Sequence, residues 1–150
     1  MDPLSAVSLA SAIIQIVDFS AKILLNTSEI YKATDGKRKI DRALEATTAN
    51  LGELLAEVGK KSSINYQESN ASGQRTADGQ LLKLAQDSEE VANTLRVTLN
   101  KIRFNGNGGE RSVLKQGFRT VLEQKTIKDL ADKLDSIRKQ VDTALLVSLQ

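Results

Sequence analysis

The chain has 150 residues, a length that fits one ordinary domain. It contains no cysteine and no histidine, which excludes disulfides, thiolate metal sites, cysteine nucleophiles and the histidine bases common in enzymes. Its 21 basic and 19 acidic side chains nearly cancel, so bulk charge does not favour nucleic-acid binding. With 40% hydrophobic residues and a single proline, the composition predicts an all-α domain.

The first predicted helix covers about residues 3–33 and is the most apolar part of the chain. It opens with an aspartate and a proline, which suit the N-cap and first helical positions. From Leu4 to Leu25 the only charged residues are Asp18 and Lys22, which stand four positions apart and can pair. Apolar side chains cover most of the circumference: Leu4, Val7, Leu9, Ile13, Ile14, Ile16, Val17, Phe19, Ile23 and Leu24.

A narrow polar stripe runs along one edge of this helix. Its members recur at spacings of three and four: Ser8, Ser11, Gln15, Asp18 and Lys22, followed by Asn26 and Glu29. The 22 residues from Leu4 to Leu25 span roughly 33 Å at ~1.5 Å per residue, close to the ~30 Å hydrocarbon thickness of a bilayer. No basic residue precedes the helix, which argues against a secretory signal.

Two interpretations of the first helix stay open at this stage. It can be the central helix of a bundle, packed on several sides with its polar stripe at the surface. It can also leave the bundle on activation, with several copies turning their polar stripes inward and their apolar faces to lipid. One helix can do both in turn.

The second predicted helix covers about residues 38–61, after a turn at residues 34–36. The densest basic cluster of the chain lies at its start, and its members are Lys37, Arg38, Lys39 and Arg42. A solvated face explains such a cluster most simply. The functional interpretation is contact with anionic lipid headgroups, at on the order of 1 kcal/mol per basic residue. Nucleic acid is disfavoured because Asp41 and Glu45 share this helix and no aromatic stacking platform accompanies it.

The later part of the chain predicts two loops and three more helices. Residues 62–77 and 104–112 are rich in Ser, Asn, Gln and Gly and indicate loops around a helix at about 78–104. The spacing along that helix predicts one apolar stripe, formed by Leu81, Leu84, Ser88, Val91, Leu95, Thr98 and Ile102. The glycine-rich segment lacks the Gly-Lys-Ser/Thr ending of a phosphate-binding loop. A short helix at 111–125 and a last one at 126–149 follow, the latter with apolar residues at Ile127, Leu130, Leu134, Ile137, Val141 and Leu145.

These elements predict a single domain over residues 1–150, an antiparallel bundle of four to five helices. The loops interrupt the apolar stripes too often for a long coiled coil. Carboxylate pairs such as Glu89 with Glu90, or Asp129 with Asp132, lie on amphipathic helices and are interpreted as solvated faces. The residues suggest no catalytic, cofactor or metal site.

Two long segments carry a family resemblance. The opening MDPLSAVSLASAIIQIVDFSAKILLNTSEIYKATDG resembles the start of the HeLo-like N-terminal domains of fungal NLR-type (STAND) proteins, which commonly begin MDPLS before a small-residue and aliphatic helix. The closing RSVLKQGFRTVLEQKTIKDLADKLDSIRKQVDTALLVSL is similar to the family's final amphipathic block, Lys-rich step and I-x-x-L-x-x-x-L helix. The chain departs from the family at Ser88, where members often have Cys, and near Leu122, where they often have Trp.

The resemblance implies a function. HeLo-like domains are regarded as relatives of the HeLo cell-death domain and of the four-helix bundle in the mixed-lineage kinase-like pseudokinase. It implies a non-enzymatic, cytoplasmic domain that self-associates and permeabilises the plasma membrane in programmed cell death, as in fungal innate immunity and heterokaryon incompatibility. It also implies that these 150 residues are the N-terminal part of a longer receptor, in which a nucleotide-binding or hydrolase domain follows Gln150. The alternative is a homotypic adaptor bundle that never enters lipid.

Overall fold

The computed structural model describes residues 3–25, 37–72, 76–105 and 124–148, and each of these ranges is one α-helix. The helices are α1 (Pro3–Leu25), α2 (Lys37–Ser72), α3 (Thr76–Asn105) and α4 (Gln124–Ser148). No strand occurs in these four ranges. The predicted all-α fold class is confirmed.

The four helices pack as a bundle in which α1 and α3 take the central positions. Each of these two contacts all three other helices, including each other, whereas α2 and α4 pack mainly on α1 and α3. Such an arrangement covers α1 on three sides. This arrangement agrees with the interpretation of the apolar helix as the central helix of a bundle. A helix with only a narrow polar stripe needs neighbours around most of its circumference.

Helices α2 and α3 form an antiparallel hairpin. A β-carbon built on Gly52 of α2 would lie 3.7 Å from the guanidinium carbon of Arg96 in α3. Residues 52 and 96 stand equally far from the connection at 73–75, as facing residues in an antiparallel hairpin must. The Arg96 guanidinium therefore lies beside the α2 backbone at position 52, at an ordinary van der Waals distance from where a β-carbon would be.

The predicted apolar stripes form the core of the bundle. In α3 the side chains of Leu81, Leu84, Val91 and Leu95 are buried, and in α4 those of Leu134, Ile137 and Val141 are buried. The buried polar members of the α3 stripe satisfy their hydroxyls within the helix: Ser88 donates to the carbonyl of Ala85 at 2.8 Å and Thr98 to that of Thr94 at 2.7 Å. Helical periodicity thus identified the core faces correctly.

The predicted loop at residues 62–77 is wrong for the residues that the structure describes there, 62–72 and 76–77. Helix α2, expected at 38–61, continues to Ser72, and α3, expected at 78–104, already begins at Thr76. The loop was inferred from polar composition, but polar residues other than Gly and Pro differ from Ala by only about 0.7 kcal/mol or less in helix propensity. Once a helix has formed, each added residue gains a hydrogen bond, so it can extend through a polar segment that contains no proline.

The other predicted boundaries fall near the observed ones or outside the described residues. The last helix, expected from residue 126 to 149, runs from Gln124 to Ser148. The predicted short helix at 111–125, apart from its last two residues, lies outside the described residues. So do the predicted continuation of the first helix to residue 33, the turn at 34–36 and the glycine-rich segment beyond Asn105.

The extension of α2 can be tested by substituting proline at Ser63, an exposed position. Proline in a helix interior removes a hydrogen bond and costs about 3 kcal/mol, or less if the end of the helix unravels instead. We expect Ser63→Pro to lower the free energy of unfolding and the helical circular-dichroism signal, and the control Ser63→Ala to lower neither. An unchanged signal in the proline variant would support the loop instead.

Candidate functional site

Helix α1 is the candidate functional element. From Leu4 to Leu24 it is long and apolar enough to cross a membrane by length and composition, and no other helix in the described residues passes that test. The central helix of a folded bundle passes the same test, so the criterion alone does not decide between the two environments. The burial of its side chains is therefore the relevant observation.

Most of the predicted lipid-facing side chains are buried in the bundle. Fully or nearly fully buried are Leu9, Ile13, Ile16, Val17, Ile23 and Leu24, while Ile14 and Phe19 are partly buried against the core. The two remaining members lie at the N-terminal end and are exposed, Leu4 by 83% and Val7 by 43%. The face that would meet lipid is thus also the face that holds the bundle together.

The predicted polar stripe lies at the surface of the bundle. Four of its members are exposed, namely Ser11, Gln15, Asp18 and Lys22, and Ser8 is half-buried. The predicted continuation of the stripe to Asn26 and Glu29 lies outside the described residues. The spacings of three and four continue this exposed line towards the N-terminus through the apolar residues Val7 and Leu4. The outer edge of α1 is therefore apolar at one end and polar along the rest of its length.

The Asp18 carboxylate pairs with Arg138 of α4. The sequence had suggested Lys22, four residues away on the same helix, as its partner; the structure shows instead a link between α1 and α4. The side chains of Asp18 and Arg138 are 56% and 42% exposed, so the pair contributes about 0.2–1 kcal/mol. Sequence reasoning missed Arg138, because the 120 residues that separate it from Asp18 leave no local pattern.

Ser20 is a second feature that the sequence analysis missed. Its side chain is fully buried in α1, and its hydroxyl has no hydrogen-bond partner. Ser88 and Thr98, which are similarly buried, both donate to carbonyls of their own helix. A buried hydroxyl without a partner destabilises the folded state by about 1–3 kcal/mol. The only sequence signal for it was a serine on the apolar side of α1.

The predicted lipid-contact residues lie in the first two turns of α2: Lys37, Arg38, Lys39 and Arg42. Their side chains lie outside the described part of the structure, so only their position along the helix is known. The first turn of α2 contains no acidic residue. Because the N-terminal end of a helix carries partial positive charge, basic residues there gain nothing from the helix dipole.

In the described residues, the carboxylates of α3 and α4 form no group of three or more that could hold a metal ion. Glu90 pairs with Lys133 of α4, with 3.8 Å between the Oε2 and Nζ atoms. Asp129 and Asp132 are exposed, as predicted. Glu89 differs from this prediction because it is half-buried, and its burial raises the pKa of its carboxyl above the ordinary value.

Comparison with known proteins does not place the chain in a family: no family model, curated protein or solved structure matches it. The basis for a function is therefore the resemblance of its two ends and the arrangement around α1. That arrangement combines a membrane-length helix in the core, an exposed apolar N-terminal end and a polar outer stripe tied to α4.

The unpartnered hydroxyl of Ser20 predicts that Ser20→Ala stabilises the bundle. The substitution removes a buried polar group and raises helix propensity, so we expect the free energy of unfolding to rise by about 1–2 kcal/mol. Ser88→Ala is the matched control, because the same change at equal burial also removes a hydrogen bond. It should be close to neutral in the same denaturant titration. A lower stability of Ser20→Ala would show that its hydroxyl is satisfied.

The raised pKa of Glu89 predicts a pH-dependent effect of Glu89→Gln. An acid whose pKa is higher in the folded state binds its proton more tightly there, so its ionisation at neutral pH destabilises the fold. We expect Glu89→Gln to raise the melting temperature at pH 7, with the gain disappearing as the pH falls below the unfolded-state pKa of about 4.3. The control is Glu90→Gln, which removes the ion pair with Lys133 and should not raise the melting temperature at pH 7.

Proposed function

We propose that this bundle is the membrane-targeting cell-death effector domain of a fungal NLR-like immune receptor, and that oligomerisation releases α1 into the membrane. The observation that carries the proposal is that the membrane-length helix of the described chain is one of the two central helices of the bundle and has an exposed apolar N-terminal end. The resemblance of both ends of the sequence to HeLo-like domains supports it independently.

The energetics require a trigger for this release. Removing six buried Leu, Ile and Val side chains of α1 from the core costs on the order of 10 kcal/mol, at about 1.5–3 kcal/mol each. That is as large as the whole stability of a typical domain, about 5–15 kcal/mol. Release of α1 is therefore equivalent to opening the bundle, and it becomes favourable only where lipid replaces the lost core. Clustering of several copies at a membrane provides that condition.

The exposed side chains of α1 suggest the order of events. Leu4 and Val7 are already in solvent, so they can enter the lipid interface before the core opens. Ser11, Gln15 and Asp18 follow along the same line, and polar groups are costly in hydrocarbon unless they face water or one another. Several inserted copies would satisfy this requirement by turning their polar stripes towards a common axis.

The proposed partners follow from this mechanism. They are other copies of the chain, anionic lipids that meet the basic start of α2, and a nucleotide-binding or hydrolase domain that clusters the bundle. The protein would reside in the cytoplasm and move to the plasma membrane on activation, where anionic lipids of the inner leaflet attract basic segments. The mechanism involves no catalysis, cofactor or nucleic acid.

A homotypic adaptor is the second candidate function. The observation that favours it is that α1 is held in the core, whereas other helices expose apolar side chains: Val97 on α3, and Leu146 and Val147 on α4. A bundle that never opens could associate through such positions without entering lipid. Oligomers would then form equally well in the absence of membranes.

Dye release from liposomes distinguishes the two functions. We expect the folded protein, fused to a forced-oligomerisation tag, to release dye from vesicles with anionic lipid and to release little from neutral vesicles. Leu4→Glu should reduce release at least tenfold, because the leading end of α1 must cross the hydrocarbon as the helix inserts, and a charge at the bilayer centre costs about 2.5–3.5 kcal/mol. Because Leu4 is exposed, the bundle should still fold after this substitution. Deletion of α1 would instead remove much of the core.

Leu146→Glu is the matched control, since Leu146 is 68% exposed on α4 and lies outside the inserting helix. Its dye release should equal that of the unsubstituted protein, with circular dichroism confirming the fold of both variants. Equal losses in both variants would contradict insertion of α1. An absence of release from folded, clustered protein would favour the adaptor.

A further inference from the structure

Helix α4 presents a narrow apolar face with a cation on each flank. Its buried side chains Leu134, Ile137 and Val141 lie on one face of the helix. Lys133 and Arg138 are five residues apart, which separates them by about 140° around the helix at roughly 100° per residue. The apolar face lies between these two directions. Each cation is therefore placed to reach a different neighbouring helix.

Both cations do reach across to other helices. Arg138 pairs with Asp18 of α1, and Lys133 pairs with Glu90 of α3 at 3.8 Å. By contrast, Lys139, also on α4, pairs with Asp135 of its own helix at 3.0 Å. The two interhelical pairs therefore connect α4 to the two central helices of the bundle, on either side of the apolar face that it buries against them.

We propose that α4 is a detachable cover that holds α1 in the bundle, fastened by the ion pairs of Arg138 and Lys133. α4 packs mainly on α1 and α3, so its displacement leaves the α2–α3 hairpin intact and uncovers one side of α1. Both pairs are partly solvent-exposed, so each is weak and sensitive to ionic strength. They bias the opening of the bundle without locking it.

The part of this proposal that concerns membrane release rests on the proposed function, whereas the opening of α4 is measurable in solution without lipid. The chain has no cysteine, so one introduced thiol reports the exposure of one position. Ala144→Cys places the reporter on the buried face of α4, and Val58→Cys places a second reporter on α2. The rate of maleimide labelling then compares opening of α4 with opening of the whole bundle.

We expect the Ala144→Cys reporter to be labelled faster than the Val58→Cys reporter in the unsubstituted background, and Arg138→Glu to accelerate labelling of the Ala144→Cys reporter about two- to fivefold. Lys139→Glu, a charge reversal on the same helix that touches no interhelical pair, should alter neither rate. Adding Asp18→Arg to Arg138→Glu restores an opposite-charge pair and should return labelling to its original rate. High salt should accelerate labelling of α4 in the unsubstituted background.

Three outcomes would overturn the cover: labelling of Ala144→Cys no faster than that of Val58→Cys, acceleration by Lys139→Glu, or failure of the charge swap to restore the rate. Dye release by the clustered Arg138→Glu protein then tests the link to membrane activity, and we expect it to rise with the labelling rate. Faster labelling of α4 without any dye release from the clustered protein would leave the cover standing and reject the membrane function.

Discussion

The whole bundle depends on covering the apolar circumference of α1. Because only a narrow stripe of this helix is polar, its remaining surface must be removed from water on several sides at once. Contact with α2, α3 and α4 together achieves this. The other helices are more polar and more charged outside their buried faces. Removing α1 would uncover the faces that α2, α3 and α4 bury against it.

The same property makes α1 suitable for a second environment. A bilayer offers an apolar surrounding of about the length of this helix, so the side chains that stabilise the folded bundle could equally be buried in lipid. The polar outer stripe lies at the surface of the bundle, but in lipid it would be costly for a single copy of α1. The hydroxyl of Ser20 has no hydrogen-bond partner even in the bundle. A change of environment therefore depends on how strongly the remaining helices hold α1 and on how many copies meet.

Electrostatic contacts modulate a balance that burial dominates. The ion pairs of α4 are worth at most about 1 kcal/mol each because water reaches them, whereas the buried face of α1 is worth on the order of ten times as much. Weak contacts at the edge of a strong core are the ones that can be altered without unfolding the protein. This is the physical reason for expecting regulation at Asp18, Arg138, Glu90 and Lys133 rather than within the core.

The sequence by itself determined the helical class and the core-facing residues, because both follow from local spacing. Leu81, Leu95, Leu134 and Val141 were identified from periodicity and are all buried. The end of α2 at Ser72 was not predicted, since polar composition does not interrupt a helix that lacks proline.

Only the tertiary structure decided which of the apolar residues of α1 lie in the core and which are exposed. It also decided that Asp18 meets Arg138 instead of Lys22, that the hydroxyl of Ser20 has no partner, and that Glu89 and not Glu90 is half-buried. These facts depend on which helix lies beside which at a given height of the bundle. Local spacing fixes the face on which a side chain lies, but its partners come from chain segments that can be more than a hundred residues away.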